Sequence, residues 1–275
     1  MRPDWLAACR RAAVAVERML GDVPTTSQRV RETGARGEGG DRTLEIDARA
    51  ERLVLDELER LHRDDGARFT VVSEEIGRVD YGDDGVLVVI DPIDGSLNAK
   101  RGLPHHALSI GVAQGATMAD VVFGFVRDFG PGETWHATRD GGAYLDGARL
   151  PTDVPERRHP DGKLEVLGIE SADPRWVRDA ANELADAARR VRALGSTAVT
   201  LCQVAAARMD AMVSIRHTRA VDVAAAQLIV REAGGQVAFT AFEDPLAAPL
   251  DLVPHSPVIA ARTPDGLDGL RRIPL

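Results

Sequence analysis

From Leu164 onward the chain alternates two periodicities, and this limits its possible folds more than any other feature. Short apolar runs, LEVLGIE, VRALG, DAMVSI and QVAFT, are separated by stretches with helical spacing: Pro174 to about Arg189, TAVTLCQVAAAR and VDVAAAQLIVREAGG. Strands that alternate with helices stack a sheet beneath a helical cover. An α/β half is therefore expected.

The preceding part is ordered differently. Trp5, Leu6, Cys9, Ala13, Val16 and Leu20 keep helical spacing. Ala50, Leu53, Val54, Leu58 and Leu61 do so again, with Asp47 placed to cap the start of that helix and GARF ending it. The runs FTVVS, VLVVI, ALSIGVA, DVVFGFV, ETWHAT and GAYL follow, divided by Gly, Asp and Pro, and read as a largely antiparallel sheet. Between the two helices, TTSQRVRETGARGEGGDR is rich in Gly, Thr and charge and reads as a mobile loop. LPTDVPERRHPDGK is polar and proline-rich and reads as the junction between the halves.

A formal charge of −9 over 275 residues argues against a general nucleic-acid surface, because binding a phosphate backbone needs a clear basic face. A phosphate ligand would need recruited cations or a few local basic groups. Charges interrupt every apolar run before it could span a bilayer, so no membrane partner is expected. Cys9 and Cys202 fit neither a metal-knuckle spacing nor a disulfide framework and read as buried thiols, consistent with a cytoplasmic protein.

The chemistry concentrates in VLVVIDPIDGS. Val86 to Ile90 form a continuous apolar strand, Pro92 fixes the backbone where it ends, and Gly95 permits a close approach to the main chain. Taken alone, Asp91-Pro-Ile-Asp94-Gly is equally a turn. TVVSEEIG, however, ends another β-like run in Glu74 and Glu75, and TRAVDVAAAQ puts Asp222 near the start of a helix of small residues. Carboxylates about 4 Å apart repel by roughly 4 kcal/mol at an effective dielectric near 20. A hard cation resolves such a cluster, and oxygen-only ligands select Mg²⁺, Mn²⁺ or Ca²⁺ over zinc. Two adjacent cations sharing an aspartate would activate a water and neutralise a phosphate together. If Gly95 and Ser96 open a helix, their amides would add an anion cradle.

VVSEEIG, DPIDGSLNAKRGLPHHALSIGV, RALGSTAVTLCQVA and VDVAAAQLIVREAGGQV, in this order and spacing, resemble the inositol monophosphatase and fructose-1,6-bisphosphatase superfamily of lithium-sensitive, Mg²⁺-dependent sugar phosphatases. The resemblance covers nearly the whole chain. GGDRTLEIDARAE, the Asn98-Ala99 pair and TRAVDVAAA are similar to the archaeal-type dual-specificity members. It implies a five-layer αβαβα sandwich, with an N-terminal α+β half over residues 1–150, a C-terminal α/β half over 151–275 and the active site between them. It also implies a homodimer and a small phosphorylated sugar or polyol as substrate.

Residue by residue, the resemblance assigns Glu74, Asp91 and the carbonyl of Ile93 to one metal and Asp91, Asp94 and Asp222 to another. Ser96 matches the hydroxyl that orients the attacking water, and Asp47 matches the acid that assists it or holds a third metal. Asp94, Gly95, Ser96, Gly195, Ser196 and Thr197 are candidates for substrate contact, though the last three also suit a helix cap. Where the animal inositol enzymes carry an acid, SIRHTRAVD carries Arg216 and Arg219, which would suit a second phosphate. The loop Lys that often precedes the Asp47 position is missing, and Arg36 is the basic residue that comes nearest to its place. Glu75 reads as an outer acid, and Lys100 and Arg101 as either solvated or substrate-facing. His105 and His106 read as non-catalytic, because a coordinated water can protonate the leaving oxygen. The rival readings are a 3′-phosphoadenosine 5′-phosphate or histidinol-phosphate phosphatase, and a family member with a mainly regulatory binding role.

Overall fold

The computed structural model describes residues 3–38 and 42–275. Helix α1 (Trp5–Gly21) starts at Asp4, whose carboxylate accepts the Ala7 amide. The segment expected to be a mobile loop instead contains a helical turn, α2 (Thr26–Arg29), and a hairpin of β1 (Glu32–Arg36) with β2 (Arg42–Leu44). Glu32–Arg36 and Arg42–Leu44 pair as antiparallel strands, which a Gly-rich composition does not reveal, and residues 39–41 of the segment lie outside the described part. The side chain of Arg36 lies outside the described part. Helix α3 (Glu45–Asp65) begins two residues before Asp47 and ends at Gly66 in the left-handed conformation.

An eight-stranded sheet follows, in the order β10-β9-β8-β7-β6-β5-β3-β4. Its strands are β3 (Thr70–Ser73), β4 (Gly77–Asp80), β5 (Leu87–Asp94), β6 (Ala107–Ala113), β7 (Val121–Asp128), β8 (Glu133–Thr138), β9 (Gly142–Leu145) and β10 (Ala148–Arg149). The pairings are antiparallel except for β3 beside β5. The short helix α4 (Ser96–Arg101) caps the end of β5.

The second half forms a five-stranded sheet in the order β12-β11-β13-β15-β14 from β11 (Leu167–Glu170), β12 (Val191–Arg192), β13 (Ala211–Ser214), β14 (Gln236–Phe239) and β15 (Val258–Ala261). The first three are parallel, whereas β15 runs antiparallel to both β13 and β14. The helix expected from Pro174 to Arg189 is interrupted at Ala180, giving α5 (Pro174–Asp179) and α6 (Ala181–Ala187). Buried Ala180 closes the first and opens the second with φ −101° and ψ 8°. Helices α7 (Thr197–Ala205), α8 (Ala220–Glu232) and α9 (Pro264–Leu270) complete the half.

The apolar residues sort into layers. One core joins α1 and α3 to the outer face of the large sheet through Val16, Val54, Leu58, Phe69, Ile90 and Phe125. A second buries α7 and α8 between the two sheets, and a third packs α5, α6 and α9 on the far face of the small sheet. The chain is thus a five-layer αβαβα sandwich. Small residues set the central spacing: a Cβ on Gly111 of β6 would stand 3.2 Å from both the Ala224 Cβ and the Ala225 amide nitrogen of α8. The alanines of VDVAAAQ are therefore a close-packing surface, and the first turn of α8 is drawn toward the carboxyl end of β5.

Candidate active site

Parallel pairing brings the first two acids together. Ser73 of β3 aligns with Ile90 of β5, so Glu74 and Asp91 leave adjacent strands side by side. Glu51, four residues along α3 from Asp47, supports this end by accepting both the Ser73 hydroxyl and the Ile76 amide. The i,i+4 spacing places Asp47 and Glu51 on one helix face, and that spacing is the signal that could have found Glu51 in the sequence.

A β-bulge accounts for the spacing of Asp91 and Asp94. In a regular strand, residues three apart project from opposite faces. Asp91 aligns with Ser109 and Asp94 with Ala107, so β5 spends three steps where β6 spends two. The extra residue turns Asp94 back toward the face of Asp91. Pro92, which has no amide to donate, sits in this irregular segment, and the Ile93 amide donates to Asp91 Oδ1 at 3.0 Å.

Asp94 is locked from the other half of the molecule. Its Oδ2 accepts the Ser196 hydroxyl at 2.6 Å and the Ala198 amide at 2.7 Å. Ser196 also caps α7, so cap and site are one structure. Asp222, in the first turn of α8, accepts the Arg219 amide with Oδ2 at 3.2 Å. Asp91, Asp94 and Asp222 each offer an oxygen within 4.8 Å of the others.

These side chains line a cleft of about 370 Å³ together with Asp47, Glu74, Ile93, Gly95, Ser96, Lys100, Thr197 and Arg219. The β1–β2 hairpin contributes Glu32 and Leu44 to its wall, a contribution hidden by the loop-like composition. Arg219 bridges Glu74 and Asp222 at 2.7 and 3.5 Å. Burial and mutual repulsion push Asp94 up to about 8 and Glu74 up to about 7, and raise Asp91 well above the carboxylate range. Asp47 is pushed up to about 7 by burial and by Glu75 and Glu74, despite a backbone hydrogen bond at Leu44. It lies inside the first turn of α3, so it is not the cap, and its Oδ1 is buried with no hydrogen-bond partner among the described residues.

The donor set suits a hard divalent cation. It is all oxygen, crowded, desolvated and short of positive charge, and each pair at this separation repels by roughly 3 kcal/mol at a dielectric near 20. Three of the expected residues are not in the cleft wall: Arg216 stacks over the Trp176 ring at 4.7 Å, Gly195 lies behind Gly95, and buried Ser196 reaches the site only through its hydroxyl bond to Asp94. Glu75 and Lys100 line the cleft, whereas Arg101 does not. His105 pairs with Asp128, and the ring of His106 lies 3.1 Å from the Leu103 carbonyl.

A profile of the inositol monophosphatase family matches residues 3–270. The chain belongs to the inositol monophosphatase family. A fructose-1,6-bisphosphatase/inositol-1-monophosphatase from Thermococcus kodakarensis is 39% identical over 72% of this chain and 70% of its own. Nus factor SuhB from Escherichia coli is 35% identical over 72% of this chain and 71% of its own. The crystal structure of an inositol monophosphatase-fructose 1,6 bisphosphatase superimposes with a TM-score of 0.81 at 26% identity, covering 97% of this chain and 98% of that one. Like other members of the inositol monophosphatase family, this protein is a phosphatase, a phosphoric monoester hydrolase. No helix among its described residues is long and apolar enough to cross a membrane.

Proposed function

We propose that this phosphatase is Mg²⁺-dependent, with Mn²⁺ as a substitute, and hydrolyses a small sugar or polyol phosphate: inositol 1-phosphate, fructose 1,6-bisphosphate or both. The observation that carries this reading is the gathering of Asp91, Asp94 and Asp222 to within 4.8 Å of one another in the cleft. A volume of about 370 Å³ lies at the small end of ligand pockets, roughly 300–1,000 Å³, and suits a single-ring substrate.

Glu74, Asp91 and the Ile93 carbonyl would hold one cation, and Asp91, Asp94 and Asp222 a second, with Asp47 available to a third. Bound there, divalent cations supply Lewis-acid neutralisation of the phosphoryl oxygens and acidify a coordinated water. The chain supplies placement. Ser96 and Asp47 orient the attacking water, and Asp47 takes up its proton. Gly95, Ser96 and Thr197 face the phosphate or its sugar, and Arg219 adds a cation at the cleft wall. The water oxygen would bond to phosphorus as the phosphorus–ester oxygen bond breaks, the ester oxygen would take a proton from a second water to which Asp47 returns its own, and inorganic phosphate and an alcohol result.

The test is phosphate release from inositol 1-phosphate, fructose 1,6-bisphosphate, 3′-phosphoadenosine 5′-phosphate and histidinol phosphate, with Mg²⁺ and after chelation. Activity that survives chelation, or persists in Asp94→Asn, would sink the metal reading. A strong preference for the nucleotide or for histidinol phosphate would replace the substrate. The likeness to a Nus factor favours a second reading, a regulatory binding role beside catalysis; a catalytically dead variant that still supports the cellular phenotype would establish it. The resemblance also implies a homodimer, which sedimentation would test.

A further inference from the structure

Glu170 ends β11 in the small sheet, in the opposite half from Asp91 and Asp94, and is only 4% exposed. A buried carboxylate is costly unless its oxygens are satisfied. Here they accept the Thr200 hydroxyl at 2.5 Å, the Leu194 amide at 3.1 Å and the Gly195 amide at 3.2 Å to each oxygen. Every one of these groups donates, so both carboxyl oxygens serve as acceptors and the side chain is used as an anchor. What it anchors is the Leu194–Gly195 backbone, which has no regular secondary structure of its own.

The same backbone is held from the other side. Asn98 of α4 donates through Nδ2 to the Leu194 carbonyl at 2.6 Å and to the His105 carbonyl at 2.9 Å. Gly95 packs directly beneath: a Cβ there would fall 2.8 Å from the Gly195 carbonyl oxygen. The next residue in the chain is Ser196, whose hydroxyl holds Asp94 Oδ2, and Ala198 adds its amide two residues later. The path from Glu170 to Asp94 therefore runs through one pinned peptide and one serine, with no slack residue between them.

We propose that Glu170 is a positioning residue for the metal centre: by fixing Leu194–Gly195 it fixes the two donors that aim Asp94, and it does so from the half of the molecule that contributes Asp222. This rests on the metal-dependent reading above. Groups that orient a metal ligand typically change metal affinity or activity by about 10–100-fold when lost. Glu170 does not line the cleft, so its loss is expected to act on the cation first.

The experiment measures Mn²⁺ binding directly, by calorimetry and by the electron paramagnetic resonance signal of free Mn²⁺, on wild type, Glu170→Gln, Thr200→Val and Asp94→Asn. Melting temperatures are recorded without metal. Glu170→Gln is expected to weaken Mn²⁺ about tenfold, with kcat recovering toward wild type at saturating Mn²⁺ and KM for substrate little changed. Thr200→Val, which removes one donor and keeps the backbone anchors, is expected to weaken Mn²⁺ about two- to threefold and serves if Glu170→Gln does not fold. Unchanged Mn²⁺ affinity in folded Glu170→Gln, or in Thr200→Val should the former not fold, overturns the role of Glu170. Wild-type protein that takes up no Mn²⁺, or Asp94→Asn that binds it as wild type does, overturns the metal reading instead.

Discussion

Arg219 Nη1 lies 2.7 Å from Glu74 Oε1. The guanidinium also reaches Asp222, so a fixed positive charge sits among acids that otherwise repel. Charge-assisted contacts of this kind are worth about 1.5–3 kcal/mol each when partly buried. Arg219→Ala is predicted to raise KM for fructose 1,6-bisphosphate about tenfold and KM for inositol 1-phosphate by less than about threefold, because only the former presents a second phosphate. Equal losses for the two substrates in steady-state kinetics would remove Arg219 from the substrate site.

Metal-free stability should fall as pH rises. Asp94 is pushed from 3.8 up to about 8, and Glu74 from 4.5 up to about 7, with Asp91 raised in the same direction. Below about pH 4 these groups are protonated in both the folded and the unfolded chain. Between there and about pH 8 only the folded chain keeps the protons, so unfolding releases them and stability drops across that window, levelling above it. In chelator the melting temperature is expected to be higher at pH 5.5 than at pH 8. Adding Mg²⁺ at pH 8 should restore it, by about 2.7 kcal/mol at a hundred times the dissociation constant. A melting temperature in chelator that rises from pH 5.5 to 8 contradicts this account.

Asp47 predicts opposite effects on activity and stability. Burial and the nearby Glu75 and Glu74 push it up to about 7, and its Oδ1 is buried with no hydrogen-bond partner among the described residues. Asp47→Asn relieves that repulsion and is expected to raise the metal-free melting temperature at pH 8 by roughly 2–4 °C, equivalent to about 1 kcal/mol. It is expected to lower kcat at saturating Mg²⁺ by about 10²–10⁴-fold, the usual contribution of a placed acid or base. A variant that keeps full kcat would reduce Asp47 to a structural role.

How much of this was legible in the sequence depends on range. The helices and most strands were, because the α8 alanines, the buried β5 run and the helical stripes are local patterns; the five-layer stacking came only with the family resemblance. Asp91, Asp94 and Asp222, which the fold gathers to within 4.8 Å, drew notice in the sequence as carboxylates beside Gly or Ala at element ends. The bulge in β5 was not legible, because it is defined by the partner strand: only the Ser109 and Ala107 register reveals it. Glu170 was hidden for the same reason. Its partners are 24 to 30 residues away, and LGIES looks like any strand end. Strand β15 was missed because a four-residue run near a chain end gives no period to read, and it forms by pairing with β13 and β14.

Gly95 ties the cleft to the interface between the halves. Its φ is 86°, and a Cβ there would stand 2.8 Å from the Gly195 carbonyl oxygen and 2.9 Å from that of His105. Both obstacles are backbone, so neither can swing aside as a flexible side chain could. Gly95→Ala therefore combines left-handed strain, about 1–2 kcal/mol, with overpacking of about 1–3 kcal/mol. The expected outcome is a loss of about 2–5 kcal/mol in urea denaturation. Because relaxation must push Gly195 and Ser196 away from Asp94, Mn²⁺ affinity should fall in whatever fraction remains folded. Gly102 is the control: it is also left-handed, with φ 69°, but a Cβ there would meet nothing within 4 Å. Gly102→Ala should show the strain alone, about 1–2 kcal/mol, with Mn²⁺ binding intact. Equal stability losses in the two variants would mean that the Gly95–Gly195 contact carries no energy of its own.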